Sequence, residues 1–439
     1  MIRITRKSIR EKEKKINFFE EFIKIQRHFF QDILRRMKTV KDPRHPSYTE
    51  YEPDVLLFSV IMKNVCGIVS MSGMMTKFNK AECIENMAAA LGCGTLEELP
   101  HYDTVNNFLS RLVPEEIEKI RDYMIRELLR KRSLERYRFL DRYWCIAVDA
   151  TGLFSFSERH CEHCLKKEYK NKKTGEIERT VYYHNVLEAK LIAGDMVFSI
   201  ATEFIENEDE NVSKQDCELN AFKRLAPKLK AKYSGLPVCL LADSLYACEP
   251  VFQLCDDYKW KFLIRFKEGS IRSVAEEFNA LKELGSEKAG NAEWVNGINY
   301  NERTLNAVEA EIRDERKDET RRYVFLTDIG ITERNSGEIV SFGRSRWKIE
   351  NEGFNNQKTK IGGIDHVNSM DYNAMKNHYL IAQIAEILRQ LYVKGAEGIK
   401  DLNKGIKEIS SCLLESLRTR TLTAEDIARI GKSAQVRFT

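Results

Sequence analysis

Three carboxylates stand out by position. Asp149 follows the apolar run "YWCIAV" and Asp243 follows "PVCLLA", so each ends a short β-rich stretch and precedes small or hydroxyl residues, "DATG" and "DSLYA". Sites in open α/β sheets are built at the carboxyl ends of strands. If neighbouring strands present both residues, two like charges lie close together. That is costly unless one is protonated or a divalent cation sits between them. All-oxygen ligation suits Mg²⁺ or Mn²⁺. A strand ending in a lone Asp often only caps a turn, so neither residue carries the reading by itself.

The third carboxylate comes from "RWKIENEGF", which reads as the start of a helix at residues 346–354. Glu350 lies four residues after Arg346, so the two share one helix face. Glu352 is turned about 200° away from Glu350 at about 3.6 residues per turn, so only one of them can face a sheet. If it is Glu350, Arg346 lies on the same face, where it could orient Glu350 or meet a phosphate. Three such carboxylates would make a two-metal centre for phosphoryl transfer.

A second cluster is "RHCEHCLKK" at 159–167, with His160, Cys161, His163 and Cys164 inside five residues. Cys-x-x-Cys is half of a structural zinc site. The nearest further ligand is His184, across a hairpin, so a set of Cys161, Cys164, His163 and His184 stands against the simpler expectation of free loop thiols. Lys166 and Lys167 follow directly and suit contact with nucleic-acid phosphates.

These residues need elements to position them. Residues 1–140 read as helical, from runs such as "INFFEEFIKIQRHFFQDILRRM" and "PEEIEKIRDYMIRELLRKR". From Tyr143 the pattern becomes β-rich: "YWCIAV", then "VYYHNVLEAKLIAG" and "MVFSIATEF" joined at the hairpin signal Gly194-Asp195. A helix, "PVCLLA", a second helix and "WKFLIRF" complete a β-β-β-α-β-α-β order over 143–266. Residues 290–340 hold several short β-like runs. The Glu350 helix follows, then "MDYNAMKNHYLIAQIAEILRQLYV", a helix with an apolar stripe, and a helical, basic last 40 residues.

Composition narrows the partners. The chain has 439 residues, 43% hydrophobic and 31% charged, with a net charge of +4. That describes a folded, soluble protein of two or three domains. No run of about 18 apolar residues is present, so no membrane span is expected. The basic start has no apolar signal core, and eleven scattered cysteines suit reduced thiols. Both point to a cytoplasmic location. Residues 1–40 carry 12 Lys/Arg against 5 Asp/Glu. Further basic clusters run from Arg126 to Arg142 and from Lys166 to Lys173. Three such clusters in a near-neutral chain raise nucleic acid above small substrates as a partner.

With "AVDATG", "LLADSLYA" and "RWKIENEGFNNQKTK" in this order, and with "KQDCE" (214–218) and "NAMKNHYLIAQIAEIL" (373–388), the chain resembles DDE transposases of the bacterial insertion-sequence type. The resemblance covers about 143–395. It implies a ribonuclease-H-like catalytic core in which Asp149, Asp243 and Glu350 are catalytic and hold Mg²⁺ or Mn²⁺. It also implies double-stranded DNA as partner, as terminal inverted repeats and target, a homodimer in the DNA complex, and a bacterial, nucleoid-associated setting. The related pattern places Tyr three residues before the Arg and Lys seven after the Glu. Here Gly343 and Gln357 stand there, with Phe342 and Lys358 adjacent, so Arg346 and Lys358 are the phosphate-contacting candidates of this segment.

The expected fold is thus α/β: a ribonuclease-H-like mixed sheet flanked by helices, a β insertion before the Glu350 helix and a helical N-terminal domain. The expected parts are a DNA-end-binding domain at 1–140, core at 141–285, β-rich insertion at 286–342, core helices at 343–395 and a helical C-terminal region at 396–439. Two other readings stay open: an inactive, transposase-derived DNA-binding protein, and a metal-dependent nuclease on the same fold.

Overall fold

A computed structural model describes residues 13, 16–314, 318–430, 436 and 438. The chain divides into two compact units, residues 1–133 with 355–439, and residues 134–354. Much of the basic N-terminal stretch, residues 1–12, 14 and 15, lies outside the described residues. So do residues 315–317 and most of 431–439.

The first unit is helical. Its N-terminal part holds α1 (Phe18–Phe29), α2 (Ile33–Lys38), α3 (Pro53–Val65), α4 (Met71–Phe78), α5 (Ala81–Leu91), α6 (Tyr102–Leu109) and α7 (Pro114–Arg130). Pro53 and Pro114 open α3 and α7 at first-turn positions, where a missing N–H costs nothing.

The second unit is built on one open, mixed ten-stranded sheet flanked by helices. Its strands are β1 (Trp144–Phe156), β2 (Leu165–Lys170), β3 (Ile177–Ala193), β4 (Met196–Ile205), β5 (Val238–Ala242), β6 (Lys261–Phe266), β7 (Glu287–Ala289), β8 (Ala292–Tyr300), β9 (Arg303–Asp314) and β10 (Glu319–Thr327). The order is β2-β3-β1-β5-β6-β10-β9-β8-β7, with β4 also paired to β3. β1, β3 and β4 are antiparallel, whereas β1, β5 and β6 run parallel. The parallel β5, "VCLLA", is buried at all five positions, as a central strand covered on both faces must be. Helices α8 (Glu218–Lys232), α9 (Glu249–Tyr258), α10 (Arg272–Gly285) and α11 (Glu333–Ser345) belong to this unit.

The β3–β4 hairpin turns at Gly194, whose φ of 61° lies in the left-handed region. β2 is a strand that sequence pattern did not signal. It is exposed at every position but the first, so it has no alternation to read.

After α11 comes a wide π-helix, Ile349–Ile361, and the division between the units falls inside it, after Phe354. The first unit then takes α12 (Tyr372–Gly395), α13 (Glu397–Lys400), α14 (Ile406–Thr419) and α15 (Ala424–Ile430).

β10 is hydrogen-bonded to β6, so β8–β10 extend the same sheet. α12 belongs to the helical unit. Asn373 and Asn377 donate to the backbone carbonyls of Leu109 and Leu112, tying α12 to the end of α6. Among the described residues no helix is long and apolar enough to cross a membrane.

Candidate active site

β1 does not stop at Asp149 but continues to Phe156, paired with β3. Its parallel partner β5 is the strand that stops. Ala147 pairs with Leu241, and β5 ends one residue later at Ala242. Continuing that register by two places brings Asp149 level with Asp243, just beyond the carboxyl end of β5. Asp243 then caps the following turn, accepting from the Leu245 N–H at 2.8 Å.

Glu350 arrives from the start of the π-helix, still within the sheet unit. Arg346 lies at the end of α11 and is buried. Its Nη2 donates to Glu350 Oε1 at 2.7 Å and its Nη1 to Asp149 Oδ2 at 3.3 Å. One guanidinium therefore bridges two of the three carboxylates. Glu352 points elsewhere, lining a cleft with Trp347 and Lys348.

The electrostatics identify a fourth member. Burial pushes the Asp149 carboxyl up, Arg346 opposes this, and Glu350, Glu218 and Asp243 push it further, to about 7. Glu218, at the start of α8, is also raised, by burial first and then against its hydrogen bond from Tyr246; Asp243 adds to the rise. The Tyr246 hydroxyl, fully buried, donates to Glu218 Oε1 at 2.8 Å. The sequence offered "KQDCE" only as part of a resemblance, and nothing in its spacing set Glu218 among the site residues. What makes it one is the bond from Tyr246, in the turn that follows β5, to this first residue of α8. Glu188, level with Asp149 on β3, is buried and accepts from Thr202 Oγ1.

The carboxylates share one neighbourhood, but their oxygens do not close to metal-ligand spacing. Among the described residues, the group of His, Cys or acidic side chains with ligand atoms all within 4.8 Å of one another is Cys161, Cys164 and His184. At the carboxylates, Arg346 supplies the positive charge that crowded anions require.

Next to this site lies a cleft of about 920 Å³ lined by Arg136, Arg313, Arg321, Arg344 and Lys348, with Tyr323 and the exposed Trp347. Five cations with aromatic faces between them suit a polyanion that also stacks. The sequence marked Arg136, in a basic cluster, and Trp347 and Lys348, beside Arg346, but not the cleft they share, because most of the rest of its lining comes from the β3–β4 hairpin, β9, β10 and α11.

The other expected contacts are dispersed. Lys166 and Lys167 are exposed on β2; Lys166 lies 3.8 Å from Glu168 and Lys167 sits over the Tyr169 ring. Lys358 belongs to the helical unit, half-buried, and burial lowers its pKa, with Asp365 opposing. Gln357 is buried and donates to Gln383. Gly343 is pressed on the ring of Phe325, where a Cβ would come within 2.8 Å of ring carbons. A Tyr at this position has no room. The neighbouring Phe342 instead packs against Phe139 at 5.0 Å.

In the Cys–His cluster, Cys161 Sγ lies 3.6 Å from Cys164 Sγ and 3.5 Å from His184 Nε2, and Cys164 Sγ lies 3.2 Å from the same nitrogen. The hydrogen bond from Cys164 holds the Cys161 thiol down to about 4, against burial and with help from His184. His163, expected in this set, is not part of it. Its Nδ1 bonds the Asn207 carbonyl at 3.0 Å, because the tight Cys161–Cys164 turn directs the intervening ring outward.

No model of a known protein family matches the chain, and no curated protein matches it.

Proposed function

We propose that this protein is a DNA transposase of the DDE type, which hydrolyses a phosphodiester at the ends of an insertion sequence and transfers the freed 3′-hydroxyl to target DNA. The observation that carries the reading is that Arg346 bridges Asp149 and Glu350 while Asp243, level with Asp149 just beyond the adjoining strand, is close enough to raise the Asp149 carboxyl. A mixed sheet in which an antiparallel β4-β3-β1 set adjoins parallel β5 and β6 supports the ribonuclease-H-like form of that reading.

The donor set suits a hard divalent cation. The carboxylates offer only oxygen, and a carboxyl raised to about 7 by burial first and then by its anionic neighbours gains from added positive charge. Asp149, Asp243 and Glu350 would hold Mg²⁺ or Mn²⁺, which when bound supplies Lewis-acid activation of the attacking and leaving oxygens. The chain's own residues set the rest. Arg346 neutralises Asp149 and Glu350 and orients both carboxylates. Tyr246 fixes Glu218 beside them. The cleft of Arg136, Arg313, Arg321, Arg344 and Lys348 binds phosphates, and Trp347 offers a face on which a base can stack. Terminal inverted repeats and target DNA are the substrates, two copies of the chain pair two ends, and the work is done in the bacterial cytoplasm on nucleoid DNA.

The test is cleavage of a duplex carrying the element's end, in Mg²⁺. Asp149→Ala, Asp243→Ala and Glu350→Ala should each lower cleavage by on the order of 10³-fold or more, as loss of several kcal/mol of charge stabilisation implies. Binding of the same duplex should persist. Full activity in any one of the three would overturn the assignment, and loss in Glu352→Ala with activity kept in Glu350→Ala would mean that the other helix face carries the chemistry.

A further inference from the structure

The Cys–His cluster lies apart from the carboxylates and has its own construction. Cys161 and Cys164 bracket a tight turn in which the Cys164 N–H donates to the Cys161 carbonyl at 3.1 Å. The Cys161 N–H in turn points at Cys164 Sγ, 3.4 Å away. Asn207, buried just beyond β4, clamps this turn: its Nδ2 donates to the Cys164 carbonyl at 2.9 Å, its N–H to the His163 carbonyl at 3.3 Å, and its own carbonyl meets His163 Nδ1. The clamped turn holds both sulfurs against His184 Nε2, on β3. His184 is itself buried, with Phe154 packed edge-on at 5.6 Å.

We infer that Cys161, Cys164 and His184 form a zinc site that pins the loop between β1 and β2 to β3. A tetrahedral ion with Zn–S of about 2.3 Å and Zn–N of about 2.0–2.1 Å has S···S edges of about 3.8 Å and S···N edges of about 3.5 Å. The observed edges of 3.6, 3.5 and 3.2 Å lie close to these values. The ligand types separate this site from the carboxylates. Two thiolates and an imidazole select zinc, whereas an all-oxygen set selects Mg²⁺ or Mn²⁺, so each site would take its own metal in the same protein. Both sulfurs would bind as thiolates, each donating a pair to the ion, and a proton still carried by a sulfur would pass to solvent. Neither nearby histidine completes the set. His163 is turned to Asn207, and His160 is stacked on Tyr182 at 4.1 Å. The fourth position therefore falls to water or to a donor that the described residues do not supply. Pinning the loop fixes the start of β2, and with it the direction of Lys166 and Lys167.

The inference does not depend on the transposase reading, and its test keeps the two apart. The full-length protein is purified without chelator or metal-affinity steps, and its zinc is measured by elemental mass spectrometry. About one zinc per chain is expected. Cys161→Ser with Cys164→Ser should lose it, whereas Asp149→Asn should keep it. Because the double variant could fail to fold, the wild type is also exchanged with Co²⁺, which should show thiolate-to-cobalt charge-transfer absorption that His184→Gln weakens. Wild type with less than about a tenth of an equivalent of zinc and no thiolate–cobalt absorption would overturn the site. Zinc retained in full by the double variant would overturn it as well. Either result would leave the Mg²⁺-dependent cleavage assay unaffected.

Discussion

Arg346 and Asp149 stand 197 residues apart in the chain, yet Nη1 of the one meets Oδ2 of the other at 3.3 Å. The same guanidinium holds Glu350 at 2.7 Å, so it sets the spacing between two carboxylates. Arg346→Ala should leave both without their shared cation. Cleavage is expected to fall by on the order of 10²–10³-fold, while binding of end DNA stays within a few-fold. Arg346→Lys should recover only part, since a point charge cannot fork between two acceptors. Single-turnover cleavage at saturating enzyme measures this, and an Arg346→Ala enzyme as fast as wild type would remove Arg346 from the site.

The raised Asp149 carboxyl makes stability depend on pH in protein stripped of divalent cations. In the unfolded chain this group ionises as pH rises past about 4. In the folded protein it keeps its proton until about 7. Across that window the unfolded state binds fewer protons, so stability falls as pH rises, and the loss is complete above the folded pKa. Asp149→Asn should flatten the profile between about pH 4 and 7 and exceed wild type at pH 8, by on the order of 2–4 kcal/mol. Denaturant melts across pH decide it. An unchanged slope would assign the proton to another group.

The basic cleft predicts a salt signature. If Arg321 and Arg344 contact phosphates, Arg321→Gln and Arg344→Gln should each weaken binding about equally for specific and unrelated duplexes. Each should also reduce the slope of log K against log salt by about 1. Trp347→Ala should weaken binding to single-stranded ends more than to blunt duplex, since stacking needs an open base face. The full chain is the right reagent for these measurements. A 1–140 fragment would lack α12, which closes the end of α6 through Asn373 and Asn377. Slopes unchanged in both arginine variants would move the DNA path away from this cleft.

Gly343 offers a check on packing alone. Its missing Cβ is what lets α11 rest on Phe325. Gly343→Ala should cost about 1–3 kcal/mol through overpacking, despite the better helix propensity of Ala. A companion Phe325→Leu should relieve part of that cost. A stabilised Gly343→Ala protein would mean that the ring moves aside freely.

The residues themselves announced a good deal. The apolar run before Asp149 and the one before Asp243 are β-rich and short, and the Gly194-Asp195 turn joins two strands as its composition requires. Period and turn chemistry are local, and local physics is legible in a string. The four-residue step from Arg346 to Glu350 likewise foretold their pairing, because one helix turn brings such residues together. Other features needed the folded chain. β2 carries no alternation; pairing with β3 and the Gln215 amide bonded to the Lys166 backbone hold it. The β8–β10 strands joined the main sheet because β10 found an open edge on β6, a choice made by long-range hydrogen bonding rather than by composition. Glu218 entered the acidic site through the path of α8, and His184, not His163, met the two cysteines because Asn207 fixes the turn. In each case the deciding term is a contact between residues far apart in sequence, where burial and the position of a neighbouring charge outweigh what the residue type alone prefers.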